Sequence, residues 1–136
     1  MAGIYRIIAL VLLVTAISAC SSSSAQSNSG NNSLIQGRYL YKSTGYSAMG
    51  LRLEEVGEIF ADGQGRWHLN GWMNTDGAIV RANSDWEYTL NGLEGEAHSN
   101  VGDISYIFVS SDGRAIYMVS SNPSSPWLAI FTKDGT

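Results

Sequence analysis

The chain has 136 residues, a formal net charge of −4 and one cysteine. A lone cysteine excludes an internal disulfide, and the length allows one small domain. The 8 Lys and Arg residues form no cluster, so the basic footprint that nucleic acid selects is missing and that partner class is excluded.

Residues 1–19 have the three parts of a secretory signal: a short start carrying Arg6, an apolar stretch over 7–17, and the small residues Ser18 and Ala19. An apolar stretch of about eleven residues is short of the roughly 18–20 that a permanent membrane helix needs. Losing this segment removes Arg6 and makes the remainder one charge more negative. Cys20 follows the small pair directly. The run Ile17-Ser18-Ala19-Cys20 resembles the lipobox of bacterial lipoproteins, with Ile17 where that family usually has Leu. The resemblance implies cleavage before Cys20, a diacylglyceryl thioether on its sulfur and acylation, for instance by palmitate, of the new amino terminus. Two or more acyl chains hold a protein stably to a membrane. In Gram-negative members an Asp after the cysteine retains the protein in the inner membrane. Ser21 in that place implies the outer membrane instead, in its periplasmic leaflet or at the cell surface.

Residues 20–33 are rich in Ser and Asn, with no side chain large enough to build a core. They read as a lipid-anchored flexible tether with a reach of roughly 20 Å. Residues 34–136 form the folded domain.

Beyond Leu34, short apolar-polar alternations are divided by Asp62-Gly63, Asp76-Gly77, Asn91-Gly92 and Asp112-Gly113, dipeptides suited to tight hairpins. The pattern predicts strands near 36–43, 51–61, 65–74, 78–83, 85–90, 93–99, 103–110, 114–120 and 126–132. Eight or nine short strands in an all-β chain of this length favour a small antiparallel up-and-down β-barrel, because closure removes the exposed edges. A two-sheet β-sandwich is the alternative. Trp86, Tyr88 and Leu90 share one face. On 103–110 and 114–120 both faces are apolar, so these strands either sit between layers or offer an outer patch, expected around Tyr117, Val119 and Trp127.

Gly37-Arg38-Tyr39 resembles the Gly-x-Trp that opens lipocalin barrels. The block Val56 to Gly65, with the later Asp85 to Asn91, is similar to calycin-like or allene-oxide-cyclase-like bacterial barrel domains of unknown function. Both resemblances imply a fold more than an activity.

Glu94, Glu96 and His98 alternate along one predicted strand and so share a face, where two carboxylates and an imidazole suit a divalent metal, with His68 as a fourth ligand. The competing reading is a polar outer face opposite Leu93, Gly95 and Ala97. Glu54, Glu55 and Glu58, if turned inward, suit acid-base work beside His68 or a tyrosine. Asp62-Gly63-Gln64-Gly65 lacks the acidic repeat of a calcium loop and reads as a hairpin turn. Neither histidine lies in a nucleophile motif, and no motif for an organic cofactor occurs.

The surplus aromatics Trp67, Trp72, Trp86, Tyr88 and Tyr106 are candidate walls of a pocket for a small apolar or envelope-derived ligand, against plain core packing as the competing role. The expected function is therefore a membrane-anchored, non-enzymatic binding module. An envelope structural or protein-interaction lipoprotein is the alternative, and a cyclase-like or metal-dependent enzyme comes third.

Overall fold

The computed structural model describes residues 30–135. Cys20 and the segment before it lie outside the described residues, as does most of the expected tether. A 3₁₀ turn at Asn32–Leu34 leads into eight strands: β1 (Gln36–Tyr46), β2 (Arg52–Asp62), β3 (Arg66–Thr75), β4 (Ala78–Asn91), β5 (Glu94–Ser99), β6 (Ile104–Val109), β7 (Ala115–Ser120) and β8 (Trp127–Lys133). Each pairs antiparallel with its successor, and β8 returns to β1 to close an up-and-down barrel. The sandwich alternative does not apply.

The turn dipeptides fall where expected. Asp76 and Gly77 both take positive φ, 50° and 92°, as a two-residue type I′ hairpin demands. At the next site Asp62 closes its turn by accepting the backbone N–H groups of Gln64 at 2.7 Å and Arg66 at 3.0 Å. One boundary differs from the sequence reading. Segments 78–83 and 85–90 are a single strand, because pairing with β3 continues through Asn70↔Asn83 and Leu69↔Ser84 without a break. Ser84 has no glycine beside it to open a turn, and its hydroxyl instead accepts the Trp86 indole N–H at 2.8 Å.

The two ends of the barrel differ. At the end where β1 starts and β8 finishes, the interior is solid: Ile35, Tyr39, Ile59, Leu90, Ile107, Ile116 and Phe131 have no exposure. Trp67 stacks on Tyr88 with ring centroids 4.8 Å apart and lies 6.1 Å from Phe131. The chain entering β1 plugs this end. Asn32 Oδ1 accepts the Leu90 backbone N–H at 2.9 Å, and the Tyr88 hydroxyl donates to the Ile35 carbonyl at 2.9 Å. Full burial of Ile35 alone contributes about 1.5–3 kcal/mol. Asn32, placed within the expected tether, is part of this plug.

The outer wall is divided as well. Across β1 to β5 it carries the ion pairs Arg38–Glu58 at 2.6 Å and Arg66–Glu87 at 3.3 Å and the His68–Asp85 hydrogen bond at 2.7 Å, interspersed with exposed Leu40, Val56, Phe60 and Trp72. Across β6, β7 and β8 it is apolar: Ile104, Tyr106, Phe108, Tyr117, Leu128 and Ile130 are all exposed. They lie in register, with Phe108 opposite Tyr117 and Tyr117 opposite Ile130.

Candidate functional site: a cavity at the open end

At the end opposite the plug the barrel is hollow. A cavity of ≈330 Å³ opens there between the β1–β2, β3–β4, β5–β6 and β7–β8 connections, at the small end of the roughly 300–1,000 Å³ of small-molecule sites. Tyr41, Trp86, Trp127 and Phe131 form its aromatic wall, and Leu53, Leu69, Met73, Met118 and Ala129 are among its other apolar lining residues. Trp86 and Trp127 meet edge to face at 6.3 Å, and Tyr41 stacks on Phe131 at 5.3 Å. Ser43, Asn83, Ser84 and Ser125 add polarity toward the mouth.

One carboxyl group enters this space from a strand, and Asp103 adds a second from the β5–β6 connection. Glu55 is in phase with Gly57, Ile59 and Ala61 on β2 and so points inward, where it accepts a hydrogen bond from the Tyr41 hydroxyl. Room for the tyrosine ring comes from two glycines paired across β2 and β3, Gly57↔Gly71. A Cβ on Gly57 would stand 2.9 Å from Tyr41 Cε1, and one on Gly71 would meet the Tyr41 hydroxyl and lie 2.6 Å from the Val56 carbonyl. Burial pushes the Glu55 carboxyl above its ordinary value despite the opposing effect of the Tyr41 bond, and the Asp103 charge adds to the rise. Burial and then the Glu55 bond push the Tyr41 phenol upward too.

Of the aromatic residues expected to line a pocket, Trp86 does so. Trp67 and Tyr88 also face inward, but in the solid half. Trp72 and Tyr106 are corrections: both sit on the outer wall, 49% and 47% exposed. Period two places Trp72 in the opposite phase to the inward Trp67, Leu69 and Gly71 of the same strand, and the Arg81 guanidinium covers its outer face at 4.6 Å. Tyr106 alternates with the buried Ser105 and Ile107. Trp127, expected in an outer patch, turns inward instead.

Glu94, Glu96 and His98 do share a face, and it is the outer one, away from the cavity. His98 Nε2 lies 3.5 Å from Glu96 Oε2, and His68 is paired with Asp85 on another part of the wall. Among the described residues no group of three side chains is arranged to hold a metal ion. Glu54 and Glu58 also point outward, toward Arg52 and Arg38. A wider depression of ≈460 Å³ around Phe60, His68, Asp85 and Glu87 lies on the outer wall.

The sequence reading allows an inward glutamate beside a tyrosine, but it does not separate Glu55 from Glu54 and Glu58 or join it to Tyr41 and Trp127. The available signal was the small-residue row opposite Tyr41, Gly57 and Gly71, which leaves space for one ring. No protein-family model and no curated protein matches the sequence. Among solved structures, a de novo designed fluorescence-activating β-barrel is similar over 76% of this chain and 98% of its own, at 11% identity and a TM-score of 0.46. That likeness adds nothing to the closed topology read from the strand pairing.

Proposed function

We propose that the chain is an exported lipoprotein, anchored to the outer membrane through acyl chains on Cys20, whose barrel binds a small, largely apolar molecule in its open half. The observation that carries the binding role is the division of the interior: packing is complete around Ile59 and Ile35, yet stops at the Trp86–Trp127 level and leaves a lined cavity. A small barrel can fill itself with its own side chains, so a preformed aromatic-walled space at one end is consistent with a ligand site. The plug residues Asn32 to Ile35 lie at the closed end, so a chain anchored through Cys20 would enter the barrel there, which supports a mouth directed away from the membrane. Titration of the full-length chain with a neutral bicyclic aromatic such as 2-naphthylmethanol tests the reading. Quenched tryptophan emission and a raised melting temperature are expected, and both effects vanish in Ala82→Phe, which fills the cavity. Unchanged emission and melting across neutral apolar probes argue against a ligand site. Mass spectrometry of the mature amino terminus tests the anchor, and an unmodified Cys20 thiol after export contradicts it.

A second reading is favoured by the apolar outer wall of β6 to β8: docking of an envelope protein with a matching apolar face. It predicts that Tyr106→Lys with Tyr117→Lys abolishes crosslinking to that protein in cells and leaves cavity binding intact. Crosslinks that persist in the double variant count against it.

A further inference from the structure

We infer that the ligand of the open half is an organic cation: an apolar, ring-bearing molecule whose protonated amine pairs with Glu55. The inference rests on the cavity being a binding site and adds the charge of what it takes. Two acidic side chains, Glu55 and Asp103, line the space. Arg81 is the one basic residue on the lining, and its guanidinium is turned out over Trp72, 4.6 Å from the ring centroid. Among the described residues the Tyr41 hydroxyl is the side-chain donor to the Glu55 carboxyl, and it occupies Oε1, leaving Oε2 for a donor brought by the ligand. An anion entering here meets two carboxyl groups with no compensating charge inside. A neutral molecule gains the apolar contacts alone. An ammonium gains those contacts, a charge-assisted hydrogen bond and the faces of Tyr41, Trp86, Trp127 and Phe131, which attract cations through the ring quadrupole.

The direction of the glutamate is built in rather than incidental. Glu55 shares its inward phase with Gly57, and the Gly57↔Gly71 pair makes the room in which Tyr41 holds the carboxyl. Outward neighbours on the same strand, Glu54 and Glu58, are neutralised by Arg52 and Arg38. Glu55 is not.

The test uses the full-length chain and three probes of one shape: 2-naphthylmethylammonium, 2-naphthylmethanol and 2-naphthoate, followed by tryptophan quenching. The ammonium is expected to bind about tenfold more tightly than the alcohol, the equivalent of about 1.4 kcal/mol, and the carboxylate most weakly. Glu55→Gln, which keeps an acceptor for Tyr41, removes the preference for the ammonium over the alcohol when both probes are compared on the same variant. Asp103→Asn, on an exposed loop, reduces the preference without abolishing it and serves if Glu55→Gln fails to fold. Equal binding of ammonium and alcohol, or a preference that survives both substitutions, overturns the cation assignment and leaves the cavity as a site. Binding by none of the three overturns the site itself.

Discussion

The Tyr41 hydroxyl and the Glu55 carboxyl are joined by a hydrogen bond at the floor of the open half. Burial raises the Glu55 value in the folded state above that in the unfolded chain, so folding takes up a proton between the two values. By linkage, the group's contribution is most favourable below the ordinary glutamate range and is lost as pH rises through the raised value. Melting temperatures of wild type and Glu55→Gln, compared at a series of pH values from acid to neutral, are expected to diverge, with wild type losing ground as pH rises. Parallel curves contradict this. Asp62, where burial is outweighed by backbone N–H donors, and Asp112, bonded by Ser110, are both held below the usual range. Their support is lost as pH falls, and the difference between the two proteins cancels it.

Gly71 is expected to tolerate no side chain. A Cβ there meets the Tyr41 hydroxyl and lies 2.6 Å from the Val56 carbonyl, and the backbone cannot yield as a side-chain tip can. Gly71→Ala should destabilise by about 1–3 kcal/mol, the usual cost of overpacking, and displace Tyr41 from Glu55. Equilibrium urea unfolding measures the first effect, and loss of ammonium preference reads the second. A variant as stable as wild type means that the ring has other room.

The plug makes a separate demand. Asn32→Ala leaves the Leu90 backbone N–H without its acceptor, an expected cost of about 1–3 kcal/mol. Ile35→Ala empties a fully buried site and should cost about 2–5 kcal/mol. Denaturant midpoints unaffected by either change would show that the solid end is sealed by the strands alone.

Removing Glu94, Glu96 and His98 together by alanine substitution should change stability by no more than about 0.5 kcal/mol each, as for exposed side chains without special partners. Zinc titration followed by calorimetry should give no saturable heat that distinguishes the variant from wild type. A wild-type-only zinc isotherm would restore the metal site on the outer wall.

Much of the barrel was legible because hairpin chemistry is local. Asp-Gly and Asn-Gly pairs supply positive φ wherever they occur, and Trp86, Tyr88 and Leu90 alternate with polar residues, so phase and direction were both readable. On β6 the phase was readable but the direction was not: Ile104, Tyr106 and Phe108 are as apolar as Ser105, Ile107 and Val109. The structure buries the set containing a serine. Pairing places Ser105 beside Ala97, itself beside Tyr88, so small inner residues on β5 and β6 accompany the large rings of β4. That balance depends on residues far apart in the chain. The Asn83-Ser84 break failed for the opposite reason, since turn-forming composition was overridden by unbroken pairing to β3. Glu55 needed a three-strand view, because its inward direction follows from the space that Gly57 and Gly71 leave for Tyr41.

Only the β1–β8 seam joins strands distant in sequence. Seven hairpins can form as soon as their own residues are available, but the seam must wait for the last strand, and its register, Tyr41 against Phe131, spans nearly the whole domain. A chain emerging amino terminus first therefore carries β1 with one unpaired edge until β8 arrives. During that interval the nascent sheet is a template for pairing with other chains. Closure is the slow, non-local step, so the edge of β1 is where an escort during folding has most to protect.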